Sequence, residues 1–417
     1  MLKVTSLNGA SIVLRALIGV VTSKMVAIYI GPQGMALLGN FRNFMSSVQT
    51  IATLGISNGV ITYTAASKSD PQAQSRLYTT LFFIGVITSL IVGCGLYFGA
   101  SYWNMYVFGK EQEFQLLFKF LGVIIPFYVA QAFLLSIVNG LSKYKTYILI
   151  NIISNSLYFF LVIYLITNFK LTGALYSIIV IPLLLLVVTL LLLWREKFMF
   201  AVLQLGNISS DYMKKLSAFA VMTLFSGLLL PQVFIQIRKH LMTTIGPIEA
   251  GIWEGLQQLS NQYLLFVTSL FTLYLLPKLS ENITNQGFRD EVSKFYKNIL
   301  PLLAIGMLLI YFLRKHLIAL LFSEDFLLME SLFFYQLLGD FLKIIALTLA
   351  YQLIAKKMLW KYLIIEGISM IVIYSTSIYL IDALGFEGVV QAHALSYLVY
   401  LLVLVFVFRK ALISKEE

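Results

Sequence analysis

The sequence has 417 residues, of which 59% are hydrophobic and only 12% charged, with a net charge of +11 and a single cysteine, Cys94. An average soluble domain is about a quarter charged, so a water-soluble fold is excluded. One cysteine also excludes an intrachain disulfide or a multi-cysteine metal site. The positive charge, which in a soluble protein would suggest nucleic acid, is here informative through its placement.

Charge-free stretches recur, among them Leu77 to Gly109, Phe120 to Ser142, Thr146 to Phe169, Leu171 to Trp194, Leu216 to Ile237 and Gly255 to Pro277. Each exceeds the roughly 20 residues that cross the hydrocarbon. In chain order the apolar runs predict helices near 8–30, 36–66, 77–103, 114–140, 146–168, 171–194, 212–240, 250–277, 295–315, 326–355, 361–382 and 388–408. The expected fold is an all-α polytopic membrane protein of about twelve transmembrane helices. Its first run is full length and carries charge, so it reads as an uncleaved first span and not as a signal peptide.

Orientation follows from the basic residues of the connections, because cytoplasmic loops hold an excess of Lys and Arg. Lys68, Arg76, Lys143, Lys145, Arg195, Lys197, Lys278, Arg289, Lys294, Lys356 and Lys357 are among the many on one side. The other side has only Lys110, Lys170, Arg238, Lys239, Arg314 and Lys315. Both termini are therefore expected in the cytoplasm. All connections are short, which leaves no sizeable extramembrane domain.

An internal repeat is legible. Lys24, Ile30, Gly31 and Pro32 recur as Lys239, Ile245, Gly246 and Pro247 at an offset of 215 residues; Gly173 and Gly388 share that offset, and Leu121 with Gly122 recurs as Leu338 with Gly339 at 217. Parallel repeats place a substrate site between the halves. The expected organisation is an N-terminal lobe over 1–195, a cytoplasmic linker over 196–211 and a C-terminal lobe over 212–417, related by a pseudo-two-fold axis along the membrane normal.

An ionisable side chain within a span costs roughly 2.5 to 3.5 kcal/mol on insertion scales and calls for a partner, a wet cavity or a function. Arg15, Lys24, Arg42, Lys119, Arg238, Lys239 and Lys343 stand there against Glu254, Asp340 and Glu366. By the assigned orientation Lys24, Arg42, Lys119, Arg238, Lys239 and Glu254 fall in the outer half, Asp340 and Lys343 near the middle, and Arg15 and Glu366 in the inner half. Such a largely basic path suits an anionic ligand, above all a diphosphate. Arg42, Lys119, Arg238 and Lys239 are also near enough to helix ends to snorkel. Asp340 and Lys343, three apart on one helical face, are placed for a mutual ion pair. Glu254, Asp340 and Glu366 are the candidates for proton or cation coupling.

The segment Trp253, Glu254, Gly255, Leu256, Gln257, Gln258, Leu259, Ser260, Asn261, Gln262 is unusually polar for a span. Its amides and indole suit a sugar, with Trp253, Gln257, Gln258, Asn261 and Gln262 as candidate glycan contacts. Interhelical hydrogen bonding is the alternative. Pro126, Pro182, Pro231 and Pro301 lie within spans and bend helices. His240, His316 and His393 lack metal-ligand spacing, no phosphate-cradling glycine loop is present, and no cofactor is expected.

Gly31, Pro32, Asn40, Phe41 and Arg42; Gly251, Ile252, Trp253 and Gly255; Tyr274, Leu275, Leu276 and Pro277; and Gln336, Leu337, Gly339, Asp340 and Lys343 resemble the bacterial lipid-linked oligosaccharide flippases. These include O-antigen translocases and the enterobacterial common antigen flippase, within the multidrug and polysaccharide exporter superfamily. The resemblance covers essentially the whole chain. It implies two six-helix lobes around a central cavity, and alternating access that moves an undecaprenyl-diphosphate-linked glycan to the periplasmic leaflet of the inner membrane. It also implies that Arg15, Lys24, Arg42, Arg238 and Lys239 are the family's basic positions, and Asp340 with Lys343 its charged pair. Glu254 departs from the common antigen pattern, which has glutamine there. Expected partners are the lipid-linked glycan, membrane lipids and the polysaccharide polymerase machinery, with no nucleic acid. Two rivals remain at this point: a cation-coupled multidrug exporter of the same superfamily, and a membrane glycan polymerase or glycosyltransferase, which would need a large periplasmic loop.

Overall fold

The computed structural model describes residues 2–109, 113–194, 208–281 and 284–413. The expected linker over 196–211 falls almost wholly outside them, as does the side chain of Arg15.

The described residues are helical nearly throughout and contain no strand. The helices are α1 (Leu2–Tyr29), α2 (Gly31–Ala52), α3 (Ser57–Ala66), α4 (Pro71–Phe98), α5 (Ala100–Phe108), α6 (Gln115–Gly140), α7 (Tyr144–Leu193) and α8 (Ser210–Thr244). There follow α9 (Pro247–Leu270), which runs through a π-helical turn over Phe271–Leu275 into α10 (Leu276–Glu281), then α11 (Asn285–Leu321), a 3-10 segment over Glu324–Leu332, α12 (Phe333–Ala355), α13 (Leu359–Leu384) and α14 (Gly388–Ile413).

Seven helical stretches among the described residues are long and apolar enough to cross a membrane. Two of them, Tyr144–Leu193 and Leu359–Leu412, have 50 and 54 residues. At about 1.5 Å per residue each is more than twice the hydrocarbon thickness, and each is broken near its middle, at Lys170 and at Gly385. Large apolar side chains such as Phe98, Trp194 and Trp360 lie on the surface, as a bilayer-embedded protein requires. The chain is a multi-pass membrane protein of the all-α class.

The observed breaks refine the predicted helices. The run expected over 36–66 is two helices, because Leu54 and Gly55 adopt positive φ angles of 51° and 62°. Glycine accepts that region without strain, and a Cβ on Gly55 would stand 2.6 Å from the Cβ of Thr223. Helix α4 starts before 77, since Asp70 Oδ1 accepts from the backbone N–H groups of Gln72 and Ala73, each at 3.0 Å, with Pro71 in the first turn. The helix expected over 295–315 begins at Asn285, capped by Thr284. There Phe288, Val292 and Phe295 bury one stripe at helical spacing, so a polar opening hid a buried face.

The repeat extends to the backbone. Positive φ angles occur at Ser142 (60°) and Lys357 (53°), and again at Lys170 (49°) and Gly385 (71°); both pairs are 215 apart. Turn hydrogen bonds match at the same offset: Lys143 N–H donates to the Val138 carbonyl at 3.2 Å, and Met358 N–H to that of Leu353 at 2.8 Å. A Cβ on Gly173 would meet the Leu165 carbonyl oxygen at 2.0 Å, and one on Gly388 that of Leu380 at 2.0 Å. The same tight reversals thus recur in the same places.

The chain divides into two compact units, one of residues 1–29 and 37–235, the other of 30–36 and 236–417. In the first, α8 is tied beside its Pro231: the Tyr106 hydroxyl donates to Gln232 Oε1 at 2.6 Å, and Gln232 Nε2 to Ser47 Oγ at 2.8 Å. In the second, Gly251 in α9 comes so close to the α1–α2 turn that a Cβ would stand 1.7 Å from the Pro32 carbonyl oxygen.

Candidate functional site

The densest polar cluster among the described residues lies within the second unit and is centred on Asp340 of α12. Its side chain is fully buried. One carboxylate oxygen accepts from the hydroxyls of Ser260 and Tyr263 on α9 and from Gln336 Nε2 at 3.2 Å, one turn back along α12. The other meets His393 Nε2 of α14 at 3.0 Å. Three donors and the His393 imidazole thus surround one carboxyl group, and charge-assisted bonds of this kind contribute about 1.5 to 3 kcal/mol each.

Gly339 makes the arrangement possible. A Cβ there would lie 2.2 Å from Cδ2 of the His393 ring and 3.1 Å from the Ala394 Cα, so α14 approaches α12 closely only because position 339 has no side chain. Gly339→Ala is accordingly expected to cost about 1 to 3 kcal/mol by overpacking. A thermal melt in detergent checks this, and an unchanged Tm would show that α14 moves freely away.

Lys343, expected as the partner of Asp340, is not its ion pair; the counter-charge, when protonated, is His393. Three residues along α12 do share a face, but the Lys343 ammonium lies over the Tyr397 ring, 5.5 Å from its centroid. His393, Tyr397 and Tyr400 follow one another along α14 at spacings of four and three. The His393 and Tyr397 rings are 4.9 Å apart and those of Tyr397 and Tyr400 6.3 Å, and the Tyr400 hydroxyl donates to Glu366 Oε1 of α13 at 2.6 Å. Asp340, Lys343 and Glu366 therefore belong to one string of polar side chains on α9, α12, α13 and α14. His393 was missed because it carries no metal spacing; its signal was a histidine in a span that holds no other titratable group but tyrosine.

A second buried group joins α8 and α9. Arg238 and Glu254 form an ion pair, and the guanidinium lies over the Trp253 indole, 5.4 Å from its centroid. Arg238 is 2% exposed and Trp253 also 2%. The sequence placed Arg238 among diphosphate ligands, Glu254 among coupling groups and Trp253 among glycan contacts; the structure joins all three in one interhelical contact. Gln258 Nε2 donates to Glu254 at 3.1 Å, and Gln257 Nε2 to Gln336 at 3.3 Å. These two amides, expected to meet sugar, are engaged between and along helices. Asn261 is exposed and Gln262 half-buried. Removing Arg238 alone is expected to cost about 3 to 5 kcal/mol, whereas replacing Arg238 and Glu254 together by apolar residues of similar volume is nearly neutral. A double-mutant cycle on Tm reads the difference, and additive losses would refute the pairing.

Of the remaining basic positions, Lys24 on α1 and Arg42 on α2 are half-buried within the first unit, and Lys239 on α8 is half-buried within the second. Lys119 is exposed on α6, its ammonium 5.9 Å from the Tyr97 ring centroid, in the manner of a stem lying along a helix surface.

Comparison with known proteins places the chain in a family. The family described as "Polysaccharide biosynthesis protein" matches residues 1–283. The lipid III flippase of Escherichia coli (strain K12) is 30% identical over 410 residues, covering 95% of each chain. Among solved structures, an inward-facing multidrug resistance MATE family transporter of the MOP superfamily superposes with a TM-score of 0.78 at 13% identity, over 95% of each chain. The lipid II flippase MurJ, in an inward closed conformation, gives 0.69 at 16% identity, over 98% of this chain and 88% of that one. At such identities the structural likenesses establish the fold.

Proposed function

Since the chain belongs to the polysaccharide biosynthesis protein family, we propose that it is a transporter, not an enzyme, which flips a lipid-linked oligosaccharide across the membrane. The observation that carries this reading is the 30% identity to a lipid III flippase along 95% of both chains. The cargo is an undecaprenyl-diphosphate-linked glycan. It passes from the cytoplasmic to the periplasmic leaflet of the bacterial inner membrane by alternating access between an N-terminal and a C-terminal lobe, with both chain termini in the cytoplasm. Polysaccharide polymerase machinery takes up the product.

In this mechanism the diphosphate is held by half-buried cations, Lys24 and Arg42 of the first unit or Lys239 of the second. Lys binds a phosphate as a point charge and Arg as a planar fork. Arg15 has the same role on α1. Lys119 attracts the anionic head from the surface, and Arg238, neutralised by Glu254, shapes the site without touching phosphate. Sugars meet the free amides of Asn261 and Gln262, whereas Trp253, Gln257 and Gln258 hold α9 in place. Asp340 with His393 is the coupling site: a proton arriving at the imidazole turns a carboxylate–imidazole hydrogen bond into a buried ion pair, and the string through Tyr397, Lys343, Tyr400 and Glu366 responds to the new charge.

Complementation tests the reading. Expression in strains that each lack one flippase of known glycan specificity is expected to restore one glycan at the cell surface. Restoration in none of them, with the protein present in the membrane, would refute the cargo.

A further inference from the structure

Within the second unit, residues of α11 and α12 line a trough of about 410 Å³, a size typical of small-ligand sites. Met307 and Leu337 form its buried floor, and Phe312 and Phe334 are exposed along its rims. Tyr311 and Phe341 also line it. Every side chain in the wall is apolar or aromatic. The trough has a charged end as well. One turn beyond Tyr311 the Arg314 guanidinium stacks on the Tyr311 ring, 4.4 Å from its centroid, and pairs with Glu330 at 2.9 Å. The Lys315 ammonium is 3.6 Å from the same carboxylate, its side chain 69% exposed. Two cations sharing one carboxylate leave one positive charge in excess, next to the last ring of the wall.

We infer that this trough binds the single isoprenoid chain of an anionic polyprenyl phosphate, with the phosphate at Lys315 and Arg314. The inference rests on the cargo reading above and adds a site for the tail. Its geometry favours that occupant over bulk phospholipid. The trough is bounded by one stripe from each of two helices, α11 and α12, and takes up a short stretch of the chain. Its rims are rings, which match a methyl-branched, unsaturated chain. The excess charge meets a terminal phosphate directly beyond the apolar wall, so one amphipathic molecule satisfies both features.

The test is photolabelling of the full chain in phosphatidylethanolamine and phosphatidylglycerol vesicles, using polyprenyl monophosphate with a diazirine in its tail. Label is expected on α11 and α12, competed by unlabelled polyprenyl monophosphate and not by added phosphatidylglycerol. Leu338→Trp, which fills the trough from its rim, is expected to lower labelling about fivefold by excluding the chain, and the surface variant Lys315→Gln about threefold by removing a phosphate contact. Leu338→Trp should also slow flipping of a long-tailed substrate while leaving a short-prenyl diphosphate glycan unaffected, which verifies that the variant is folded. Label located elsewhere, equal competition by phosphatidylglycerol, or labelling insensitive to both variants overturns the inference. If the wild type labels at the trough yet flips no polyprenyl-linked glycan, the tail site stands and the cargo reading falls.

Discussion

Asp340→Asn is expected to reduce flipping about a hundredfold while the protein still inserts and folds. The substitution keeps the size of the side chain, and the hydroxyls of Ser260 and Tyr263, which donate to the carboxylate, can turn to accept from the new amide. Folding is therefore largely preserved. What disappears is the fixed negative charge that lets a proton on His393 create a buried ion pair. Loss of two charge-assisted bonds of about 1.5 kcal/mol each amounts to roughly two decades in an equilibrium, enough to remove the coupling step. The measurement is flipping in proteoliposomes with and without a proton gradient: the wild type should respond to the gradient and the variant should not. Asp340→Ala is the harsher change, because it leaves the donors of Ser260, Tyr263 and Gln336 unanswered in a buried place, and its Tm should fall well below that of the Asn variant. A fully active Asp340→Asn protein would reduce the cluster to an interhelical fastening.

The second large effect is expected from Lys24→Gln combined with Arg42→Gln. Both residues are half-buried in the first unit, on α1 and α2, where a charge is retained against an insertion cost of about 2.5 to 3.5 kcal/mol each. Neutralising them removes that insertion cost, and a thermal melt monitors folding alongside transport. Transport should drop by at least about a hundredfold, because two charged contacts to a diphosphate are worth about 1.5 to 3 kcal/mol apiece. Loss of activity together with unimpaired folding separates a ligand site from a structural one. Unchanged flipping would remove both residues from the diphosphate site.

How far the sequence foretold this depended on the kind of signal. Length and charge-free runs revealed an all-α multi-pass membrane protein, because hydrocarbon thickness imposes a length that any sequence must meet. The repeat was visible in a few glycines and prolines for a physical reason: Gly173 and Gly388 occupy matching reversals where a Cβ would strike a carbonyl oxygen at 2.0 Å. Its strongest expression, the positive φ shared by Ser142 with Lys357 and by Lys170 with Gly385, was hidden because in each pair at least one residue is not glycine. The break at Leu54 was hidden likewise, within a run of uniformly helical character.

For the site, sequence identified the charged residues and missed their partners. Asp340 and Lys343 are three apart and read as a pair, yet His393, 53 positions further on, makes the contact; only the packing of α14 against Gly339 reveals it. Arg238 and Glu254 were separate candidates because they stand on two successive helices, α8 and α9, joined by the turn at Gly246. Spacing reports which residues share a face of one helix; it is silent on which faces meet. The polar run in α9 carried two explanations from the start. Gln257 and Gln258 are engaged with protein partners, while Asn261 and Gln262 keep the sugar-contact role as a proposal.

A lipid-linked oligosaccharide flippase moves anionic lipid-linked sugar from one leaflet to the other. Purified protein in vesicles with labelled polyprenyl-diphosphate oligosaccharide in the inner leaflet tests it directly, by the appearance of the sugar to an external lectin. Time-dependent exposure of chemically unchanged substrate, lost in the Lys24→Gln, Arg42→Gln double variant, is the expected result. No exposure above that of protein-free vesicles, while a lipophilic cation is exported from the same preparation, would contradict it.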